Sequence, residues 1–406
     1  MPTTPWYIFA GGGTGGHLFP ALAVVEALRA ESAPADVTFF CTQRPIDREV
    51  LGRAGIEAIP QTVRPVPRRP WDIPGFLWHW RASVGACLRR FRQRRPAAVV
   101  GAGGYASGPA VHAAMKLNIP AYLLNPDAVP GKANRHLAAK GKVAGIFVQW
   151  EVSRRYFPPA APVVVTGCPV RAEFRLRIAD CGWRSAARAE VLMSFGLEPG
   201  RKTLLVTGAS QGARTINEAV VALADRIAAA GWQILHLSGS ADQEAVSTAY
   251  GRLAGLTAAR PLCYRVLSFT DRMPEALAVA DLVISRAGAS SLAELQAAGK
   301  PSILFPYPFH QDRHQWHNAG VLASAGAAVV IDDHKDAVAN AGDLAPVLAD
   351  LLVNDARREA MGRAAAGLDR PRSAADIAEV LHRAATAWPI HKPARDRLPD
   401  GRFSGF

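Results

Sequence analysis

Three times along this chain a short apolar run breaks into a glycine-rich loop that leads into an amphipathic stretch. That punctuation constrains the fold more than any other feature. Tyr7–Ala10 runs into Gly11-Gly12-Gly13-Thr14-Gly15-Gly16-His17, with a helix expected over Phe19–Ala30. Ala97–Val100 runs into Gly101 and then Gly103-Gly104-Tyr105-Ala106-Ser107-Gly108-Pro109, with a helix around Pro109–Leu117. Lys202–Thr207 runs into Gly208-Ala209-Ser210-Gln211-Gly212-Ala213, with a helix over Arg214–Ala230. Glycines at such junctions let backbone N–H groups approach a phosphate at a helix N-terminus. Tight turns in α/β proteins also use glycine on structural grounds alone, but three junctions with polar companions suit a diphosphate better.

Further strands are expected at Val37–Cys41, Ala121–Leu124 and Gly145–Gln149, then at Ile234–Leu237, Leu282–Ser285 and Ser302–Phe305. Strands alternating with amphipathic stretches predict an α/β architecture on parallel sheets. The scheme pauses at Thr166-Gly167-Cys168-Pro169, passes through about thirty polar residues and restarts. A chain of 406 residues with 49% hydrophobic content has material for two domains. Two similar halves joined near residue 170 leave a cleft, a favoured place for a ligand.

Several function classes lose ground. Gly11, Gly13 and Gly16 satisfy the spacing of a dinucleotide fingerprint, but the second strand closes on Cys41-Thr42-Gln43, without the acid that would hold a ribose. No Gly-Lys-Ser/Thr follows, so a P-loop is excluded. Five scattered cysteines (Cys41, Cys87, Cys168, Cys181, Cys263) form no Cys-x-x-Cys pair, which fits a reducing compartment and no zinc. The opening residues lack a leader pattern, and no run approaches the ~18 apolar residues of a membrane span. The excess of 47 basic over 34 acidic residues predicts an anionic partner: nucleic acid, an acidic membrane or a phosphate-bearing substrate.

Two further segments are dense in chemistry. Ser285-Arg286-Ala287-Gly288 leads into Ala289, Ser290, Ser291, Leu292, Ala293 and Glu294. Glu294 either accepts hydrogen bonds from neighbouring sugar or ribose hydroxyls or is a solvated helix position. His310–Asn318 reads as amide and imidazole donors beside a sugar rather than as metal ligands. Between Arg64 and Arg95 stand nine arginines against the single acid Asp72, interleaved with Trp71, Phe76, Leu77, Trp78 and Trp80. With Arg81, Arg89 and Arg90 these make a candidate interfacial patch for anionic headgroups. A platform for single-stranded nucleic acid and an ordinary amphipathic helix are its rivals.

Gly12–His17 with Phe19-Pro20-Ala21-Leu22-Ala23 resembles the N-terminal signature of the MurG family, the N-acetylglucosaminyltransferases that convert lipid I to lipid II in peptidoglycan synthesis. Gly103–Pro109, Val129-Pro130-Gly131 with Asn134-Arg135, Thr166–Arg171, Gly208–Ala213, Arg286–Glu294 and Asp312–Asn318 resemble its later blocks, in order, over roughly residues 6 to 385. The resemblance implies a GT-B fold, two Rossmann-like domains facing across a cleft. Residues 1–168 would form an acceptor and membrane-facing domain and 169–370 the UDP-GlcNAc domain. A C-terminal helix within 371–390 would pack back on the first domain, and 391–406 would be a disordered tail.

By the same resemblance, Arg171 and Ser210 would contact the diphosphate region, Ala289 to Glu294 would line the nucleotide-sugar, and Glu294 would take the ribose hydroxyls. Gln315 would hold the GlcNAc hydroxyls, and Phe269-Thr270 would flank the uracil. Thr14, Gly15 and Gly16 would sit where donor and acceptor meet, with Gly103, Gly104 and Tyr105 as an acceptor loop. One block departs: Leu124-Asn125-Pro126-Asp127 stands where the family usually has His-Glu-Gln-Asn.

The expected reaction is an inverting transfer from UDP-GlcNAc to the 4-hydroxyl of a polyprenyl-linked muramyl sugar, with no cofactor and no obligatory metal. His17 is the first candidate base and alternatively a substrate-binding or cap residue. Asp127 is the reserve base and another donor contact. A relative acting on another lipid such as diacylglycerol, or a UDP-sugar 2-epimerase, is the alternative. The expected partners are an anionic membrane surface at the cytoplasmic face and cell-wall synthesis proteins, not nucleic acid.

Overall fold

The computed structural model describes residues 4–30, 34–67, 69–182, 185–208, 212–254, 261–309 and 312–387. The strands are β1 (Trp6–Ala10), β2 (Asp36–Cys41), β3 (Glu57–Pro60), β4 (Ala98–Gly101), β5 (Ala121–Asn125), β6 (Gly145–Val148) and β7 (Val163–Val165). The second half adds β8 (Thr203–Thr207), β9 (Gln233–Leu237), β10 (Tyr264–Leu267), β11 (Leu282–Ser285), β12 (Ser302–Leu304) and β13 (Ala328–Val330). Helices of the first half are α1 (Gly15–Ala30), α2 (Pro45–Arg53), α3 (Ile73–Gln93), α4 (Ser107–Lys116) and α5 (Lys132–Ala138). Then come α6 (Ala172–Gly182), α7 (Ser185–Ser194), α8 (Arg214–Ala222), α9 (Ala224–Ala229), α10 (Gln243–Ala254) and α11 (Met273–Val279). The chain closes with α12 (Ala289–Ala297), α13 (His314–Ser324), α14 (Ala337–Val353), α15 (Asp355–Gly367) and α16 (Ser373–Ala387).

The strands form two sheets, ordered β3-β2-β1-β4-β5-β6-β7 and β10-β9-β8-β11-β12-β13. Every strand pairing among the described residues is parallel, from β1 with β2 and β4 to β8 with β9 and β11. Helices cover both faces of each sheet, so β1, β5, β8 and β9 are buried along their whole length, and β1 reads as an unbroken apolar run. In both sheets the strand order reverses beside the first strand. The crevice at such a switch point, outside the carboxyl ends of the strands, is where α/β sheets bind ligands. The junctions after β1 and β4 flank it in the first domain, and those after β8 and β11 in the second.

The chain crosses between domains twice. After β7 it enters α6, and after α15 it returns so that Ile377, Ala378 and Leu381 of α16 join the first domain's core with Tyr7, Leu18 and Phe39. Asp369 takes a bidentate ion pair from Arg175 (2.6 and 2.9 Å), and Ser373 Oγ donates to the Gly167 carbonyl at 3.0 Å, tying the crossings together. In the other direction Ala128 and Trp150 bury into the second domain's core beside Ala287 and Ala319.

Three expectations change. The stretch after residue 170, expected to run polar for about thirty residues, holds α6 and α7, with Phe174 and Leu192 buried. The helix expected over Arg214–Ala230 breaks at Leu223 into α8 and α9. Helix α1 starts at Gly15 rather than Phe19, which leaves Pro20 inside it.

Candidate active site

The first glycine loop is built around a carboxylate. Asp47, fully buried in the first turn of α2, accepts the Gly13 amide with both oxygens (2.8 and 3.1 Å). It also accepts the Thr42 amide (2.9 Å) and the Thr42 hydroxyl (2.6 Å). Gly12 has φ 117°, and a β-carbon there would lie 2.3 Å from Asp47 Oδ2, so only glycine fits. Arg44 adds a bond from Nη1 to the Gly13 carbonyl at 2.8 Å. The acid absent from the end of β2 therefore exists slightly later, and it braces the loop. Its sequence signal was an aspartate just after Pro45 at a helix start.

His17 lies in the first turn of α1. Its Nδ1 lies 3.3 Å from the Gly12 carbonyl and 3.2 Å from the Thr14 hydroxyl. A proton on Nδ1, donated to that carbonyl, leaves Nε2 as the basic nitrogen. The ring lies against the second glycine loop: at Gly103, φ 104°, a β-carbon would meet His17 Cδ2 at 2.7 Å and Nε2 at 3.1 Å. Burial lowers the His17 pKa, Asp127 and the Gly12 carbonyl oppose that, and His314 reinforces it. The imidazole is thus held neutral near neutral pH, as a base requires. Tyr105 completes this loop, and Ser107 Oγ closes it with a bond to the Gly104 carbonyl at 2.8 Å.

Asp127 follows β5 and meets the second domain. Asn318 of α13 donates Nδ2 to Asp127 Oδ1 at 2.8 Å and accepts the Ala128 amide at 2.8 Å. Asn125 does not face a ligand: it is buried, donates to the Asp127 carbonyl at 2.7 Å and accepts from Asn134 at 3.3 Å.

On the other side, α12 points its N-terminus across the cleft, and Ser290 Oγ donates to the Gly16 carbonyl at 3.2 Å. Burial pushes the Glu294 carboxyl up to about 7, and the Arg171 guanidinium partly offsets it. Arg171 sits over the Phe19 ring at 5.4 Å, so it spans from the crossing segment to α1. Gln315 Oε1 accepts the Ala287 (3.2 Å) and Tyr307 (2.9 Å) amides, which fixes the side chain at the start of α13.

Some residues of the expected set do other work. Leu292 and Ala293 face the core, and the Leu292 amide already donates to Gly288. Ala289 is buried at the helix start. Thr270 is buried and its hydroxyl accepts the Arg272 amide at 3.1 Å, ahead of α11, whereas its neighbour Phe269 is 65% exposed. Arg286 is a brace, paired with buried Asp333 at 2.7 Å and bonded to the Phe305 carbonyl. Ser210 lies outside the described residues, while Thr14, Gly15 and Gly16 rim the cleft below α12. Among the described residues no group of three or more His, Cys, Asp or Glu side chains could hold a metal ion.

The basic–aromatic segment is α3 and the turn before it. Trp71 and Trp78 are 71% and 66% exposed, with Ile73 and Leu77 beside them and Arg81 on the surface. Two members leave the patch. The Trp80 ring covers Gly108 of α4 and neighbours His112, so it anchors α3 instead. Arg90 pairs with Glu57 at 3.0 Å toward the far end, near exposed Arg89. Phe76 is half-buried, 6.2 Å from the Trp80 ring. Among the described residues no helix is long and apolar enough to cross a membrane.

Two Rossmann-like domains whose switch-point glycine loops and helix N-termini face one cleft define a GT-B glycosyltransferase. Residues 7–145 match the glycosyltransferase family 28 N-terminal domain and 203–380 the family 28 C-terminal domain. The chain belongs to glycosyltransferase family 28 and, within it, to the MurG family. It is 37% identical over 379 residues to the UDP-N-acetylglucosamine--N-acetylmuramyl-(pentapeptide) pyrophosphoryl-undecaprenol N-acetylglucosamine transferase of Moorella thermoacetica, covering 92% of this chain and 97% of that protein. The protein of the same name from Nitratidesulfovibrio vulgaris is 39% identical over 380 residues, covering 92% and 95%. In fold it matches the crystal structure of Acinetobacter baumannii MurG with a TM-score of 0.71 and 23% identity, over 93% of this chain and 99% of that one.

Proposed function

We propose that this chain transfers GlcNAc from UDP-GlcNAc to the 4-hydroxyl of the muramyl sugar of undecaprenyl-pyrophosphoryl-MurNAc-pentapeptide, with inversion. The observation that carries the reading is the contact of Ser290, in the first turn of α12, with Gly16 in the first turn of α1. It brings the donor-side helix N-terminus onto the loop that holds His17. The domain of residues 1–168 takes the acceptor, that of 169–370 the donor, and α16 ties the second back to the first.

His17 Nε2 removes the proton of the acceptor hydroxyl as that oxygen attacks the anomeric carbon; the bond to UDP breaks on the opposite face. The negative charge of the departing diphosphate is met by Arg171, by the amides at the start of α12 and by the loop holding Ser210, so no obligatory metal is needed. Glu294 accepts the ribose hydroxyls, Gln315 Nε2 donates to the GlcNAc hydroxyls, and the uracil lies beside Phe269 and Thr270. Asp127 sustains the basicity of His17 and is the reserve base.

The protein works at the cytoplasmic face of the inner membrane as a peripheral enzyme. Trp71, Ile73, Leu77 and Trp78 enter the headgroup region, and exposed arginines meet anionic lipid. Because α3 packs on α4 through Trp80 and Gly108, this surface adjoins the Gly103–Tyr105 loop where a lipid-linked acceptor arrives. Asn125 being committed inside the fold, the altered block does not itself argue for a different acceptor. The test offers UDP-GlcNAc with a lipid I analogue and diacylglycerol in competition. A disaccharide on the lipid I analogue supports the reading; a GlcNAc–diacylglycerol or epimerised UDP-sugar as sole product overturns it.

A further inference from the structure

Asn318 is completely buried, and its carboxamide makes three hydrogen bonds to two loops, one from each domain. Nδ2 donates to Asp127 Oδ1 at 2.8 Å and to the Ala287 carbonyl at 3.2 Å, while Oδ1 accepts the Ala128 amide at 2.8 Å. Asp127 and Ala128 belong to the first domain's loop after β5. Ala287 belongs to the second domain's loop that starts α12. One side chain thus pins the carboxylate, the backbone beside it and the loop that aims Ser290 and Glu294. A buried amide with all its bonds made tolerates few alternative geometries, because any opening leaves polar groups unpaired in the interior.

We infer that Asn318 is an interdomain positioning residue, which presents the Asp127 carboxylate to His17 only while the two domains are closed on each other. The inference rests on the proposed roles of His17 and Asp127. It adds that the base is set by the domain that carries the donor, so proton removal is coupled to closure over the nucleotide-sugar. The charged and titratable groups around the His17 ring are Asp127 after β5, Asp47 in α2 and His314 in α13, with the Gly12 carbonyl on its Nδ1. Asp127 and His314 lie at the interface Asn318 locks, whereas Asp47 is fixed within the first domain.

The test compares N318D with the double variant N318D/D127N in the full-length protein. Asp at 318 still accepts the Ala128 amide but sets a carboxylate against Asp127. Asn at 127 then restores a donor–acceptor pair with the roles exchanged. N318D is expected to lower kcat about 10–100-fold, the scale of a small misplacement of reacting groups, with UDP-GlcNAc affinity near wild type. The double variant also lacks the Asp127 carboxylate, so its kcat is expected to stay as low as that of N318D. In small-angle X-ray scattering with UDP bound, N318D should show a larger radius of gyration than wild type, and the double variant the wild-type value. If N318D does not fold, N318S removes the same donor without adding charge.

Wild-type kcat and compactness in folded N318D would overturn the inference, as would a double variant no more compact than N318D, or one that regains wild-type kcat without the Asp127 carboxylate. If wild type itself transfers nothing to the lipid I analogue, the functional reading fails; the scattering series still decides whether Asn318 locks the domains.

Discussion

The hydroxyl of Ser290 donates to the carbonyl oxygen of Gly16 at 3.2 Å, and that carbonyl is the one Pro20 leaves without its helical donor. In an α-helix the amide of residue 20 would bond to the carbonyl of residue 16, and proline has no N–H to give. A local defect in α1 thus supplies an acceptor to the opposite domain. Pro20→Ala should stabilise α1 by restoring the helical bond, yet lower kcat/KM about fivefold by drawing the Gly16 carbonyl away from Ser290, a loss of about 1 kcal/mol. Thermal melting with steady-state kinetics checks the pair of effects; a gain in both stability and kcat/KM would contradict it.

Asp47 holds the loop beneath His17 through the Gly13 amide and both donors of Thr42. Asp47→Ala leaves those buried donors unpaired, which costs about 3 kcal/mol and lowers the melting temperature by roughly 6–12 °C. UDP-GlcNAc affinity should change little because the proposed donor contacts lie mainly in the other domain. Calorimetry of unfolding and of donor binding reads both, and a stable variant that has lost donor affinity would place Asp47 in the donor site instead.

With Glu294 on the ribose hydroxyls, as proposed, its raised carboxyl should make donor binding depend on pH. Its folded value of about 7 exceeds the ordinary 4.5. Its contribution to stability is therefore fully present below the unfolded value and is lost as pH rises through about 7, amounting to about 3 kcal/mol. Nucleotide-sugar hydroxyls donating to the carboxylate favour the charged form, so binding must expel the proton below pH 7. UDP-GlcNAc affinity should rise by up to about tenfold per pH unit on approaching pH 7 and then level off. Titration calorimetry across that range measures it. Glu294→Gln should flatten the profile, and an unaltered slope in that variant would assign the proton to another group.

Membrane association is expected from the exposed end of α3. Full-length protein should float with anionic liposomes at low salt and remain behind with neutral ones. Trp71→Ser with Trp78→Ser should abolish flotation while leaving transfer to a water-soluble, short-chain acceptor intact. Retained flotation in that double variant would exclude this ridge as the contact.

The fold was largely legible because parallel strands buried on both faces leave short, mostly apolar runs and their junctions leave glycines. What escaped has physical reasons. In α6 and α7 charged surface positions dilute the apolar ones, so Phe174 and Leu192 hide in a polar stretch. The glycine loop advertised itself, but no local pattern ties Gly13 to its buried partner Asp47, 34 positions away. Arg286 stood in a donor motif and proved to be a brace for Asp333. The contact of Asn318 with Asp127 joins residues 191 positions apart, a pairing no local pattern announces. Trp80 shared the composition of a surface patch, and only the packing of α3 on α4 removes it from one.

The most direct measurement is a single-turnover transfer from preformed enzyme with labelled UDP-GlcNAc to a short-chain lipid I analogue in EDTA, with wild type and His17→Ala side by side. The account predicts an inverted, β-linked disaccharide from wild type without added metal, formed about 100-fold more slowly by His17→Ala at saturating substrates. Near-normal turnover by His17→Ala would remove the base, and a tightly held donor that never reaches the acceptor in either protein would contradict the function itself.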